Sequence, residues 1–353
     1  MSGPINAVVL GATGYVGGEL LRLIAGHPTF ELAAAVSDSR NGYPIAVTFP
    51  HLASDYPDTN FSSHDEWLVK IPAGSKLALF SAAPHGASAA LIANALAAAQ
   101  AQNLDVHIVD ASADFRYAQQ GDYEAVYGST HGAPELLPQF QCAVPEHLAD
   151  IGVAHIGHPG CFATTMLLAT VPLLQSGLTD TEFFIAATTG STGSGRSPQA
   201  GTHHPERHSN MYAYKPLNHR HAPEVQKLCE AASGKQCKVN FVPHSGPFTR
   251  GIYATVQAKL LGDTTAEQLR GCFDTAYADS PFVHIIATAP RIKDVVASNH
   301  CHIGITVEGD TVVVMATLDN LVKGAAGGAM QWMNRLWGQP ESDGLLSTTP
   351  GWT

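Results

Sequence analysis

His158-Pro159-Gly160-Cys161-Phe162-Ala163-Thr164-Thr165 sets a cysteine at the head of a strongly apolar stretch. Pro159 and Gly160 suit a tight turn, and Phe162 to Leu174 reads as an apolar helix. Cys161 then lies near a helix N-terminus, where the dipole and the free amide N–H groups favour a thiolate. The same N–H groups suit an oxyanion formed by attack on a carbonyl. An isolated cysteine is more often inert core. The turn–helix setting separates Cys161 from the five other cysteines, of which Cys229, Cys237, Cys272 and Cys301 fall in helix or strand patterns.

A second set of reactive residues follows. His219-Arg220-His221-Ala222-Pro223-Glu224-Val225 opens another helix. Either histidine suits a general acid/base, with a slight preference for His219. Residues two apart at a helix start point to different sides, so one faces the thiolate and the other the substrate or core. Glu224 suits either support of an imidazolium or an ordinary helix pair. From Phe183 to Pro223 the one acidic residue is Glu206, against Arg196, Arg207, Lys215 and Arg220, which implies an anion site. Gly190-Ser191-Thr192-Gly193-Ser194-Gly195-Arg196 could wrap a phosphate with backbone N–H groups and one guanidinium, Ser191 and Arg196 being its candidate ligands. His203, His204 and His208 raise the question of a metal. Without HExxH or a CxxC pair, and with zinc competing for a nucleophilic thiolate, no metal site is expected.

Nearer the start, Gly11-Ala12-Thr13-Gly14-Tyr15-Val16-Gly17 joins the apolar, β-branched run Ile5 to Leu10 to the helical stretch Val16 to Ile24. Strand, glycine turn and helix open a dinucleotide-binding βαβ unit. Thr13 stands at the middle glycine of the usual G-x-G-x-x-G, but the physical need is met: a tight turn that brings backbone N–H groups to a pyrophosphate. Val36-Ser37-Asp38-Ser39-Arg40 ends the next strand, where the adenosine ribose is read. Ser37, Ser39 and Arg40 favour a 2′-phosphate and hence NADP(H), while Asp38 argues for NAD.

These residues need a scaffold to hold them. Phe30 to Val36, Lys76 to Phe80 and Val106 to Val109 read as further strands, with the Ala-rich helix Ala87 to Gln102 between them. That alternation predicts an α/β, Rossmann-type doubly wound parallel sheet. After about residue 160, Phe183 to Thr188, Val239 to Pro243, Gly251 to Leu261 and Cys301 to Thr317 carry strand patterns. They predict an α+β catalytic or dimerisation domain with a largely antiparallel sheet. Leu321 to Trp337 reads as a last helix that packs back on the first domain. The expected division is residues 1–160 with 322–353, and 161–321. Two domains suit 353 residues, and 45% apolar against 14% charged residues excludes a disordered chain. A net charge of -11 excludes a whole-surface nucleic-acid footprint. No apolar run reaches membrane-spanning length, and Met1-Ser2-Gly3-Pro4 does not look like a signal peptide. Six scattered cysteines fit a reducing, cytoplasmic setting.

Taken in order, Gly11 to Gly17, His158 to Cys161, Gly190 to Arg196, His219 to His221 and Phe241-Val242-Pro243-His244 resemble the N-acetyl-γ-glutamyl-phosphate reductase family of the semialdehyde dehydrogenase superfamily. Asp110-Ala111-Ser112-Ala113-Asp114-Phe115-Arg116, Thr249-Arg250-Gly251-Ile252 and Asp319-Asn320-Leu321-Val322-Lys323-Gly324-Ala325-Ala326 look like motifs of the same family. The resemblance implies NADPH-dependent reduction of an acyl phosphate through a Cys161 thioester in arginine biosynthesis, and a homo-oligomer, dimer or tetramer, acting on a small molecule. It implies substrate contacts for Arg116, Arg196 and Arg250, and a cofactor contact for Asn320. Phe162-Ala163-Thr164 departs from the commoner Tyr-Pro-Thr. Thr202-His203-His204-Pro205 and Tyr214-Lys215 look more like the lysine-biosynthesis branch that handles aminoadipyl phosphate on a carrier. Rival readings are that branch, an aspartate-semialdehyde dehydrogenase, and a non-catalytic NADP sensor. A short-chain dehydrogenase is excluded, because no tyrosine is followed four residues later by lysine.

Overall fold

Ile5–Leu10 is apolar on both faces but for Asn6, as a strand covered on both sides must be, and it forms the interior strand β1. The computed structural model, which describes residues 4–351, continues with α1 (Tyr15–Ala25), β2 (Phe30–Val36), the single turn α2 (Ile45–Thr48), β3 (Lys76–Ser81) and α3 (Ser88–Ala101). β4 (Asp105–Asp110), α4 (Gln120–Tyr127), β5 (Phe140–Cys142) and β6 (His155–Gly157) follow. These strands form one parallel sheet in the order β2-β1-β3-β4-β6-β5. The order reverses beside β1, so the glycine turn leaves the carboxyl end of β1 at the switch point where open α/β sheets bind ligands.

The second set of elements is α5 (Cys161–Ser176), β7 (Glu182–Thr189), the short α6 (His204–Arg207), β8 (Tyr212–Ala213), α7 (His221–Ser233), β9 (Lys238–Ser245) and β10 (Ile252–Lys259). It ends with α8 (Ala266–Ala276), β11 (Val283–Ile285), β12 (Cys301–Glu308) and β13 (Thr311–Leu318). The sheet runs β11-β12-β13-β10-β7-β9-β8. It is antiparallel except for the β11/β12 and β7/β9 pairs. The single strand pattern read over Cys301 to Thr317 is a hairpin. Gly309 takes a positive φ of 58° and, with Asp310, turns the chain between the paired Glu308 and Thr311.

Thirteen of the sixteen residues of α5 are buried, so this helix is the core of its unit rather than a surface layer; it packs on α7, α8, β10 and β13. Pro172 lies inside α5 and has no N–H, which frees the Leu168 carbonyl four residues earlier. Tyr277, the C-cap of α8, donates its hydroxyl there at 2.7 Å, so the helix continues without a buried orphan.

Two compact units divide the chain. One holds residues up to Ala143, Asp150–His158 and Ala325–Leu346; the other holds Val144–Ala149, Pro159–Gly324 and the chain from Ser347 on. The helix expected from Leu321 begins as a π turn, Val322–Ala326, where Gly324 N–H reaches back to Asp319 O at 3.0 Å. It becomes α9 at Gly327–Leu336. Helix α9 packs on β4 and α1, with Trp332 Nε1 donating to Ala143 O and His27 Nε2 paired with Asn334 Oδ1. Among the described residues no helix is long and apolar enough to cross a membrane.

Candidate active site

The three glycines after β1 do different work. Gly11 has a φ of 71°, and a Cβ there would stand 2.6 Å from Ala82 O. A Cβ on Gly17 would stand 2.6 Å from Ala12 O. Both serve the fold of the turn. A Cβ on Gly14 would meet only Gly11 O, at 3.7 Å, so its bareness answers no crowding inside the protein. Gly14 is the N-cap of α1, and the first helical bond is Gly18 N–H to Gly14 O. The amides of Tyr15, Val16 and Gly17 therefore head the helix, where an anion is favoured. A Cβ at Gly14 would stand in open space beside the start of α1.

Beside this turn, the Thr13 and Ser37 hydroxyls lie 3.4 Å apart and those of Ser37 and Ser39 3.2 Å apart. Asp38 is held by His64, whose backbone N–H and ring Nδ1 meet its two carboxylate oxygens at 2.9 and 2.7 Å. These bonds hold the Asp38 carboxyl below its usual range. Arg40 is exposed, with its guanidinium over the Tyr43 ring. In the same unit, Arg116 is buried and donates from Nε to His158 O. Its motif neighbour Asp114 accepts Gly86 N–H and Ala89 N–H at the start of α3.

Cys161 is the first residue of α5 and is half-buried. The N-cap Gly160 donates its N–H at 2.7 Å to Oε1 of Glu224, a fully buried carboxylate in the first turn of α7. This bond ties the start of the histidine helix to the start of the cysteine helix. His221 opens α7, with His219 just ahead of it. The rings do not diverge as a helical spacing suggests. His219 lies outside the helix, and both rings meet Phe162, the neighbour of Cys161, edge-on at 5.8 and 6.1 Å. Phe241 and Tyr214 close the group around His219. His219 Nδ1 accepts the His221 N–H at 3.2 Å, which leaves Nε2 as the protonated nitrogen of the neutral ring. Burial, helped by Arg220 and Lys215, pushes the His219 pKa down to about 4. His219 is thus a neutral Nε2–H donor at pH 7. Tyr214 is raised by burial first and then by the nearby Cys161.

A further residue carried no signal in the sequence beyond its place in the family-like motif Asp319 to Ala326. A Cβ on Gly324 would lie 2.8 Å from Cys161 Cβ, so the π turn presses bare backbone against Cys161. That turn is anchored by Asp319, which accepts Leu321, Val322 and Ala297 N–H groups and both Nε and Nη2 of Arg250. Asn320 accepts Gly251 N–H and donates to Thr192 Oγ1. Asn320, expected at the cofactor, thus joins this turn to the loop that starts at Ser191, while Arg250, expected at the substrate, meets the turn through Asp319. Ser191 donates its N–H to Phe248 O, and Arg196 is exposed.

Residues 6–146 match the semialdehyde dehydrogenase, NAD binding domain, and residues 161–320 match the semialdehyde dehydrogenase, dimerisation domain. An N-acetyl-gamma-glutamyl-phosphate reductase of Symbiobacterium thermophilum is 39% identical over 98% of this chain and 99% of its own. The chain belongs to the N-acetyl-gamma-glutamyl-phosphate reductase family. Reductases of that name from Ectopseudomonas mendocina (38% identical, 97% of this chain and 98% of theirs) and Methanopyrus kandleri (38%, 96% and 96%) are similarly related. Among solved structures, aspartate semialdehyde dehydrogenase II of Vibrio cholerae, complexed with ASA, superposes with a TM-score of 0.69 over 96% of this chain and 99% of its own, at 15% identity. The Candida albicans aspartate semialdehyde dehydrogenase with NADP gives 0.63 over 95% and 98%, also at 15%. The rival named from the sequence thus shares the fold, while the reductases share the sequence. A reductase-family member of this kind is an oxidoreductase with a nicotinamide-cofactor domain.

Proposed function

We propose that the chain reduces N-acetyl-γ-glutamyl phosphate to the γ-semialdehyde, releasing inorganic phosphate, with NADPH as cofactor. The observation that carries this reading is Cys161 at the head of α5, joined through Gly160 and Glu224 to the turn that bears His221. The Cys161 thiolate attacks the acyl carbon, the bond from that carbon to the phosphate oxygen breaks, and a thioester forms. Free N–H groups at the start of α5 and the His219 Nε2–H hold the oxyanion that develops. The Gly11–Gly17 turn would hold the nicotinamide cofactor, which would supply the hydride that the thioester carbon accepts. His221 gives a proton to the resulting alkoxide and takes it back as the carbon–sulfur bond breaks, which releases the aldehyde and restores the thiolate. His219, held neutral by burial and two nearby cations, is a poor proton carrier, so the acid/base role goes to its neighbour.

NADPH rather than NADH is favoured because Asp38, the residue that would accept the ribose hydroxyls, is turned onto His64, leaving Ser37, Ser39 and the exposed Arg40 for a phosphate. The family's dimerisation domain supports a homo-oligomer. The deciding assay runs in reverse, with NADP⁺, phosphate and the semialdehydes of N-acetylglutamate, aminoadipate and aspartate. Reduction of NADP⁺ only with one of the latter two, or with none, refutes the substrate assignment.

Gly14→Val should weaken NADPH binding by at least about 10-fold, since a side chain there enters the space before the α1 amides. The melting temperature should move little, because nothing inside the protein occupies that space. Fluorescence titration and thermal melts read the two effects separately. Unchanged affinity would place the pyrophosphate elsewhere.

A further inference from the structure

Between Gly193 and Asn218 the chain makes a long excursion in which one residue is buried, and it is a cation: Arg207, 8% exposed. Its Nη1 donates to Asn210 O at 3.3 Å. Its Nε and Nη2 are shielded from solvent, and neither meets a hydrogen-bond acceptor among the described residues. The neighbouring acid, Glu206, is exposed. A buried guanidinium without a counter-charge costs several kcal/mol, so its native surroundings are expected to supply an anion. Nε and Nη2 lie along one edge of the guanidinium and make a two-pronged fork for paired oxygens. Arg250 and Arg291 present the same two atoms to Asp319 and Asp294 in this chain. Both ends of the excursion are fastened to residues next to those that meet Cys161 or Phe162. Thr192, at its start, holds Asn320 of the turn that presses on Cys161, and Tyr214, near its end, packs on His219.

We propose that Arg207 receives an oxyanion of the substrate, either the phosphate at the reacting end or the carboxylate at the far end, through its Nε/Nη2 edge. This rests on the reductase reading above. The excursion has to part to admit that oxyanion, since both nitrogens are closed to solvent.

The test is reverse-direction kinetics with NADP⁺, phosphate and the semialdehyde on the wild type, Arg207→Met and Arg207→Lys. Methionine fills the buried space without charge. It should raise one KM at least about 10-fold with a much smaller change in kcat, as expected when binding is lost equally in ground and transition states. A rise in the phosphate KM identifies the phosphate, and a rise in the semialdehyde KM identifies the carboxylate. Lysine should restore only part of the loss, because a point charge lacks the fork. A readout without turnover is protection of Cys161 from iodoacetamide by phosphate and by N-acetylglutamate; one protection should vanish in Arg207→Met. Both KM values within twofold of wild type, with protection intact and the variant folded, overturn the proposal. So does an altered oligomeric state with unchanged KM, which would assign the guanidinium to a second copy. If Arg207→Met fails to fold, Arg207→Lys and Arg207→Gln carry the same comparison. A wild type inactive on every semialdehyde, yet protected by an anion through Arg207, would sink the reductase reading and leave the anion site standing.

Discussion

Cys161→Ser is expected to lower reductase turnover by at least about 10³-fold, which is roughly 4 kcal/mol of barrier at about 1.36 kcal/mol per tenfold. Serine is smaller than cysteine, so it meets the bare backbone at Gly324 without displacing it, and it keeps the α5 N-terminus intact. What it lacks is an anion at neutral pH, because a hydroxyl at a helix start is not ionised there as a thiol can be. The glycine turn lies in the other unit, so NADPH affinity should stay within about twofold. Turnover and cofactor titration on one preparation check both halves. A variant that keeps more than a tenth of wild-type turnover sinks the nucleophile assignment.

The histidine pair should separate by kind of defect. His221→Asn should lower kcat by about 10²–10⁴-fold and flatten one limb of the pH–rate profile, as removal of a proton carrier does. His219→Asn should mainly raise KM and keep both limbs, because the side chain it removes is a neutral donor. The direction follows from the pKa. Pushed down to about 4, His219 stays largely uncharged from neutral pH to about 5.5, so its titration does not shape the profile across the working range. kcat and KM for both variants from about pH 5.5 to 9.5 provide the check. If both keep kcat within threefold and both limbs, the proton is carried elsewhere, with His244 the next residue to replace.

Much of the architecture was legible because it follows from local pattern. Ile5–Leu10 stands where its apolar run predicts, as a strand covered on both faces must, and Phe30–Val36 follows it as an edge strand whose Glu31 is exposed. Cys161 was marked by its turn and helix alone. The reading was weaker where a role depends on partners far along the chain. Whether Glu224 serves its own helix or another is undecided by its spacing from His221; its bond to Gly160, 64 residues away, is a tertiary fact. The resemblance places Arg250 at the substrate; its bond to Asp319, 69 residues away, is likewise a tertiary fact. Gly324 is small for the sake of a side chain on a different element, and no local rule anticipates that. The Gly309-Asp310 turn was hidden by unbroken alternation on either side.

The sheet that carries the glycine turn is finished by the last long helix of the chain. Ala329, Met330, Trp332 and Met333 of α9 are fully buried in a unit whose strands all precede residue 158. On the ribosome, Pro159–Gly324 must be made before that helix exists. At about 5–20 residues per second, the first unit waits roughly 10–30 s with the surface of β4 and α1 that α9 will cover still open. The bulk of the second unit, Pro159–Gly324, is inserted within the first and is made before α9 is. Translation order and folding order are therefore crossed, and chaperone protection matters most for the half that is synthesised first. A truncation ahead of Gly327 is a lesion of the dinucleotide unit, although it removes the residues farthest in sequence from the turn that defines it.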